Sequence, residues 1–264
     1  MRFYDFEYDG NTLCNKGFII CKFGSNGIET VSNGSNITFK TVPSNYGQKY
    51  ELASINYEEC LTSTFQICKH PCIGDKEEIS QYEIRDIMRW LNRKEYHKLK
   101  FIDVEYMDIF WECTFNVSKI EMKGKVYGLE LEMITNRPFA LKEKVEINIT
   151  NLEKNGIKTI SSLSDEIGYI YPKTQITIHE DGDLEIYNAL EDRVMRIANC
   201  SKGEVITMDY PLIETSVSSH KIQNDFNWNY FRLANSFAER RNKLTISIPC
   251  QIKLAYNPIV KIGV

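Results

Sequence analysis

The strongest constraint on the fold is an alternation of apolar and polar residues in two consecutive segments. In residues 109–122, IFWECTFNVSKIEM, every second side chain from Trp111 to Val117 is apolar, and those between are polar. After a turn at KGKVYG, residues 129–135, LELEMIT, repeat the pattern. Successive side chains of a strand point to opposite faces of a sheet. The two segments therefore predict strands with one buried face, joined as a hairpin.

Short segments rich in β-branched and aromatic residues, separated by Gly, Asn and Pro, cover most of the remaining chain. In the first half they are GFIICKFG, NITFKTVP, KYELASINYEE and TSTFQICKH. In the second half they are YPKTQITIHE, GDLEIYNAL, RVMRIANC, GEVITMDYPLIETSV, NYFRLA, NKLTISIPC and QIKLAYNPIVKIGV. Asp181-Gly182 joins the first two of these runs, which is a strong hairpin signal. Residues 142–168 carry a weaker pattern, and the predicted fold class is mainly β.

One segment has the period of a helix instead. Ser80 and Glu83 have the spacing of a capping box, in which the serine caps the helix and the glutamate bonds back to it. Apolar residues then recur at helical spacing along one stripe. They are Ile84, Ile87, Met88 and Leu91. We predict one α-helix over about residues 81–92 in an otherwise β-rich chain.

The length and composition are those of a folded protein with two domains. The chain has 264 residues, of which 42% are hydrophobic and 26% are charged, so a sizeable core can be buried. Pro138 in NRPFAL interrupts the pattern after the predicted hairpin, because proline cannot donate to a strand ladder. We place the domain boundary there and expect domains over residues 1–138 and 139–264.

Charge and hydropathy argue against two classes of partner. The net charge of −4 and the isoelectric point near 5.7 disfavour non-specific nucleic-acid binding, which requires an excess of Lys and Arg. The basic segment RKEYHKLK follows the predicted helix, where the helix dipole alone favours cations. The N-terminal residues MRFYDFEYDGNT lack the apolar core of a signal peptide, and no apolar run approaches the roughly 20 residues of a membrane span. We expect a chain made in the cytosol, without a membrane partner.

The sequence offers no pattern typical of a catalytic or cofactor site. Cys60, Cys68, His70 and Cys72 lie close together in the chain, but they lack the C-x-x-C pair of ordinary zinc modules. No G-x-S-x-G is present, and the four histidines have no flanking pattern of a nucleophile and an acid. No pair of carboxylates can be singled out for glycoside hydrolysis. We therefore expect a protein that is not an enzyme and that carries no cofactor and no metal.

The order of these segments resembles the phage distal tail protein family (Dit), whose members are hub proteins of siphophage-type tail tips and baseplates. The densest match is residues 84–140, and the second is the ending NKLTISIPCQIKLAYNPIVKIG. In that family an N-terminal β-sandwich-like domain with one helix forms a ring of six copies around a channel, and a galectin-like β-sandwich projects outward. The resemblance implies that residues 1–138 form the ring and that residues 139–264 form the galectin-like domain.

The resemblance also implies partners and a location. A homohexameric ring would join the tail tube protein to a tail-associated hub, lysin or fibre protein, at the distal end of the tail in the virion. DNA would pass through the channel without specific binding, because an acidic protein does not hold phosphates. The implied role is structural.

The predicted helix supplies the candidate interface of such a ring. With its apolar stripe packed on a sheet, its opposite face and its basic end are available to a neighbouring subunit. The residues are Arg85, Arg89, Arg93 and Lys94. A face that meets only solvent is the alternative, and charge reversal at Arg85 and Arg89 distinguishes the two.

The alternative function is carbohydrate binding, since galectin-like sandwiches bind sugars in many settings. Sugar sites commonly stack an aromatic ring on the sugar and surround it with polar side chains. The stretch NDFNWNYFRLANSFAERRN offers Trp228, with Asn229 and Arg232 beside it. A core tryptophan in a strand is the simpler explanation of Trp228. A wall hydrolase is a third class, for which the sequence offers no acid pair or metal triad.

Overall fold

A computed structural model describes residues 4–24, 35–44, 50–57, 59–72 and 77–262 of the chain. They form mainly β structure in two compact units, Met1–Leu141 with Val260–Val264, and Lys142–Ile259. The predicted fold class is confirmed, including the helix, which spans Gln81–Leu91. A second α-helix of four residues was not predicted.

Within the described ranges, the elements follow one another without long helical stretches. Up to residue 142 they are β1 (Phe6–Tyr8), β2 (Asn11–Thr12), β3 (Phe18–Cys21), β4 (Ile37–Pro43), β5 (Tyr50–Tyr57), β6 (Thr62–Lys69), α1 (Gln81–Leu91), β7 (His97–Phe101), β8 (Ile109–Met122), β9 (Lys125–Thr135) and β10 (Ala140–Lys142). After it they are β11 (Val145–Asn151), β12 (Gly156–Ser161), β13 (Gly168–Ile170), β14 (Lys173–Ile178), β15 (Gly182–Asn188), β16 (Arg193–Cys200), β17 (Val205–Asp209), β18 (Leu212–Thr215), α2 (Ile222–Asp225), β19 (Leu233–Asn235), β20 (Arg241–Ile246), β21 (Cys250–Tyr256) and β22 (Ile259–Val260). Short 3₁₀ helices lie at Cys14–Lys16 and Val104–Tyr106.

The main sheet of the first unit has the strand order β2-β1-β7-β8-β9-β6-β3. Its centre is the predicted hairpin, in which β8 and β9 pair antiparallel with Phe115 opposite Met133. Lys123 and Gly124 join the strands with φ angles of 51° and 75°, the left-handed pair that a two-residue type I′ turn requires. The apolar face is buried as the alternation predicts, since Phe115 and Met133 are both fully buried.

Helix α1 begins as the capping box predicts. The Ser80 hydroxyl accepts the backbone N–H of Glu83 at 3.4 Å, and the Glu83 carboxylate accepts the Ser80 N–H at 2.7 Å. The predicted apolar stripe packs into the core, and Trp90 joins it. The Trp90 ring stacks on Phe6 with centroids 5.7 Å apart, and its Nε1 donates to the carbonyl of Tyr8 at 3.0 Å. Each such buried side chain contributes roughly 1.5–3 kcal/mol, which fixes one face of the helix to the sheet.

The second unit is a β-sandwich. One sheet has the strand order β11-β21-β14-β17-β18, and the other has the order β12-β20-β15-β16. Inward side chains of both sheets form one apolar core. Its fully buried members include Ile176, Ile178, Leu184, Ile197, Ile206, Leu244, Ile246 and Ile252. Two sheets packed face to face bury alternate residues of each strand, which accounts for the short alternating runs in the sequence.

The hairpin predicted at Asp181-Gly182 is wrong. β14 lies in the five-stranded sheet and β15 lies in the four-stranded sheet, so the chain crosses between sheets here. The Asp181 carboxylate accepts the backbone N–H of Lys202 at 2.6 Å, and Gly182 has a φ of 147°. At this second central position a type I′ turn would need a φ of about 90° instead. A hydrogen bond from a distant segment thus replaces the local turn that the dipeptide signals.

The weakly patterned residues 142–168 contain two full strands, β11 and β12. Their inward positions include polar residues, which obscured the alternation. Asn151, at the end of β11, is 1% exposed, and its amide donates to the carbonyl of Ile248 at 2.9 Å. A polar side chain that satisfies buried backbone groups can thus occupy a core position.

Candidate functional site

The exposed side of α1 carries two of the four predicted interface residues. Arg85 and Arg89 are both exposed and lie one helical turn apart, beside Tyr82, which is 81% exposed. Residues three and four apart share one side of a helix. We call Tyr82, Arg85 and Arg89 the helix face. It presents two guanidinium groups and one aromatic ring to solvent.

Arg93 and Lys94, the other two predicted interface residues, are placed differently. Arg93 pairs through its guanidinium with Asp9 at 2.7 Å, and its Nε donates to the carbonyl of Trp90 at 2.9 Å. Its backbone carbonyl accepts the Thr114 hydroxyl at 2.6 Å. Arg93 therefore fastens the end of α1 to strand β8 and to the turn after β1, whereas Lys94 is exposed.

A second exposed surface of the first unit is the antiparallel pair β4 and β5, which we call the ribbon. Among the described strands these two pair only with each other, with Ile37 opposite Tyr57 and Phe39 opposite Ile55. Phe39 is 60% exposed and Ile55 is 52% exposed. A two-stranded ribbon is marginal alone in water, and open strand edges with apolar side chains favour association. The ribbon therefore has the character of a contact surface.

The loop between α2 and β19 presents Trp228 to solvent, so the core position that the sequence favoured is wrong. Trp228 is 56% exposed and has a φ of 59°, in the left-handed region. Its two neighbours hold it there. The Asn227 Oδ1 atom accepts the N–H of Arg196 at 3.1 Å, and the amides of Asn227 and Asn229 donate to the carbonyl of Val194 at 3.0 and 3.1 Å. The sequence predicts a strand over NYFRLA, residues 229–234. Because Asn229 bonds to β16, the strand in the structure begins later and spans Leu233–Asn235, which is β19.

Three exposed tyrosines accompany this tryptophan. Tyr171 and Tyr210 stack with centroids 4.4 Å apart and an interplanar angle of 25°. Tyr210 and Trp228 both contact the buried ring of Tyr230, at centroid distances of 5.2 and 6.5 Å. Tyr169 on β13 is also exposed. We call Tyr169, Tyr171, Tyr210 and Trp228 the aromatic platform. Sequence reasoning missed its tyrosines because they come from segments far apart in the chain.

Arg232, predicted as a polar partner of the tryptophan, lies among these tyrosines. Its guanidinium carbon is 3.5 Å from the centre of the Tyr169 ring, a cation–π contact. Its Nε pairs with the Glu191 carboxylate at 2.7 Å, and one terminal nitrogen donates to the Tyr171 hydroxyl at 3.2 Å. Arg232 thus acts as a fixed spacer that joins two rings of the aromatic platform.

A buried polar cluster surrounds Glu204, at the start of β17. Glu204 accepts the Thr215 hydroxyl and the backbone N–H of Ser201, and the His220 Nδ1 atom lies 2.6 Å from its Oε1. Burial by itself raises the pKa of Glu204, but these hydrogen bonds outweigh it and hold the pKa below its usual value. The His220 Nε2 atom lies 3.3 Å from Asp225 in α2, beside an open depression of about 410 Å³. The cluster joins β17, β18 and α2.

Cys60, Cys68, His70 and Cys72, which the sequence places close together, do not form a metal site in the structure. Cys60 and Cys72 are exposed, and the His70 ring accepts the backbone N–H of Cys72 at 3.1 Å. Across the described ranges, no group of three or more His, Cys, Asp or Glu side chains could hold a metal ion. None of the helices in these ranges is long and apolar enough to cross a membrane.

Comparisons with known proteins give matches along most of the chain. Residues 1–137 match a family described as a phage tail protein N-terminal domain, and residues 139–256 match one described as a phage tail C-terminal domain. Among solved structures, the chain is similar to the SPP1 Dit protein, described as a paradigm of the hub adsorption apparatus in phages that infect Gram-positive bacteria. The TM-score is 0.65 at 9% sequence identity, over 97% of this chain and 99% of that chain. No curated protein matches the sequence.

Proposed function

Because the chain belongs to the phage tail protein family that these two domains define, we propose that it is a distal tail hub whose copies form a six-membered ring. The ring would join the tail tube to the tail-tip or baseplate apparatus. The similarity of fold to the SPP1 Dit protein over 97% of this chain is the observation that carries the proposal. That match also confirms the resemblance to distal tail proteins expected from the sequence.

Within this proposal, residues 1–138 form the ring and residues 139–264 form a galectin-like domain. A closed ring of identical subunits repeats one heterologous interface, so each subunit must offer two different surfaces. The helix face and the ribbon are two such surfaces of the first unit. The ribbon offers apolar side chains whose burial would contribute roughly 1.5–3 kcal/mol each. The helix face offers charges that fix the orientation of a neighbour.

The remaining partners follow from the same geometry. A six-fold ring presents each contact surface in six copies, which suits a tube on one side and a tail-associated hub, lysin or fibre protein on the other. The protein is a component of the phage tail, and the proposed position is its distal end. DNA would slide through the ring without specific binding, and the net charge of −4 supports this because like charges do not adhere. The role requires no catalytic step.

Charge reversal on the helix face tests the ring. The full-length chain and the Arg85→Glu/Arg89→Glu variant would be compared by mass photometry and negative-stain imaging, alone and with the tail tube protein. We expect six-fold rings for the unchanged chain and a shift to monomers for the variant. The reversed charges would leave the core unchanged, because both side chains are exposed.

The matched control is Lys202→Glu/Lys243→Glu, which changes the net charge equally at two exposed positions of the second unit. It should form rings like the unchanged chain. Rings in the Arg85→Glu/Arg89→Glu variant would assign the helix face to solvent. A chain that stays monomeric even with the tail tube protein would contradict the ring itself.

A further inference from the structure

Two features of Trp228 in the aromatic platform are unfavourable by themselves, namely its backbone conformation and the exposure of its ring. Trp228 sits in the left-handed backbone region at a φ of 59°, which a bulky residue adopts rarely. Its ring is 56% exposed, although a tryptophan gains more than most side chains from burial. The hydrogen bonds of Asn227 and Asn229 to β16 fix this conformation. Backbone strain that the surroundings enforce at an exposed aromatic residue is characteristic of a binding site.

The rest of the platform is equally fixed. Tyr210 stacks on Tyr171 and meets the edge of Tyr230, whose hydroxyl donates to the carbonyl of Pro211 at 2.6 Å. Arg232 joins Tyr171 to Tyr169. A ligand that binds here meets rings that are already in position, so little conformational entropy is lost on binding.

The charges of the platform indicate the class of ligand. Arg232, the cation in contact with its rings, is neutralised by Glu191 at 2.7 Å. A polymer rich in phosphate, or a nucleic acid, would need uncompensated Lys and Arg instead. Aromatic faces with tyrosine hydroxyls and a fixed ion pair beside them match the two surfaces of a sugar, its apolar C–H face and its hydroxyl groups. We propose that the aromatic platform binds a neutral oligosaccharide, such as a segment of a bacterial surface polysaccharide.

Calorimetry and tryptophan fluorescence on the full-length chain test this proposal. The probes are neutral oligosaccharides of glucose, galactose, rhamnose and N-acetylglucosamine, and neutral polysaccharide purified from Gram-positive cell walls. Trp90 and Trp111 are 4% and 1% exposed, so a change in emission on binding reports mainly on Trp228. We expect saturable binding to at least one probe, with a blue shift of the emission. Trp228→Ala and Tyr210→Ala should each weaken binding about tenfold in calorimetry.

The control variant is Phe237→Ala, which removes a ring that is 94% exposed and lies outside the platform. It should bind as the unchanged chain does, and circular dichroism should show that all three variants are folded. Tyr210→Ala lies on a different loop, so it tests the platform even where Trp228→Ala disturbs its own loop. Binding to none of the probes, equal binding by the platform variants, or binding only to anionic polymers or to a protein would overturn the proposal. Ring assembly of Trp228→Ala, measured separately, bears only on the hub function.

Discussion

Replacing Asn242 tests whether the second unit depends on one buried polar side chain. Asn242, on β20, is fully buried and makes four hydrogen bonds. Its Oδ1 atom accepts the N–H of Ala234 and the amide of Asn188, both at 2.8 Å. Its amide donates to the carbonyls of Ala234 at 2.9 Å and of Arg240 at 3.2 Å. The side chain thus replaces a backbone ladder between β19 and β20.

The magnitude follows from the groups that lose their partner. In Asn242→Ala, both backbone groups of Ala234 remain buried and unpaired, and each costs about 1–3 kcal/mol. The Asn188 amide keeps a weaker contact with Glu191 at 3.4 Å, so it adds little. We expect a loss of about 3 kcal/mol, with some relief if water enters the space. That is a large fraction of the roughly 5–15 kcal/mol that stabilises a typical domain.

Hydrogen exchange in increasing urea, followed by mass spectrometry, measures this loss in peptides of the second unit alone. Asn242→Leu keeps a similarly branched side chain, larger than that of asparagine, without the hydrogen bonds, so it should be at least as destabilising as Asn242→Ala. Lys243→Ala, at an exposed position of the same strand, should change the free energy by less than about 0.5 kcal/mol. If Asn242→Leu restored the stability, the volume of the side chain and not its hydrogen bonds would be the cause, and the reasoning would fail.

Two further predictions concern the cap of α1 and the buried acid. Ser80→Ala should lower the free energy of unfolding of the first unit by about 1 kcal/mol, because the N–H of Glu83 loses its acceptor; an unchanged urea midpoint would speak against the capping box. The pKa of Glu204 is lowered in the folded chain, so its stabilisation is present above its unfolded pKa of about 4.3 and is lost as the pH falls through the folded pKa. Glu204→Gln should therefore flatten the pH dependence of stability below about pH 4.3, and an equally steep dependence in the variant would contradict this.

The features that the sequence predicted correctly are those decided by neighbours in the chain. The β8–β9 hairpin follows from the alternation and the turn residues, and the start of α1 follows from Ser80 and Glu83. Trp90 could also have been placed in the core, since it lies three residues after Ile87 on the same stripe. The ion pair of Arg93 with Asp9 could not be predicted in this way, because it depends on a contact between segments that are far apart in the sequence.

The features that the sequence did not predict are decided by partners far along the chain. Asp181-Gly182 has the local signature of a hairpin, yet β14 pairs with β17 and β21, and β15 pairs with β16 and β20. Trp228 stands in a segment that alternates like a strand, yet its neighbours bond to β16, and this turns its side chain to solvent. In both cases hydrogen bonds to remote strands outweigh the local preference, and no pattern within a window of ten residues contains that information.

The proposed assembly surface and the proposed glycan site lie in different parts of the chain. The helix face belongs to the first unit and the aromatic platform to the second, and each unit has its own core. Substitutions of exposed residues that share no partner affect stability and binding independently. Arg85→Glu/Arg89→Glu should therefore abolish rings while each subunit still binds the glycan with unchanged affinity. In an intact ring the six platforms would act together, so the same variant should lose most of its avidity for a polysaccharide that spans several subunits. Loss of monovalent affinity in that variant would mean that the two surfaces are coupled and that one of the assignments is wrong.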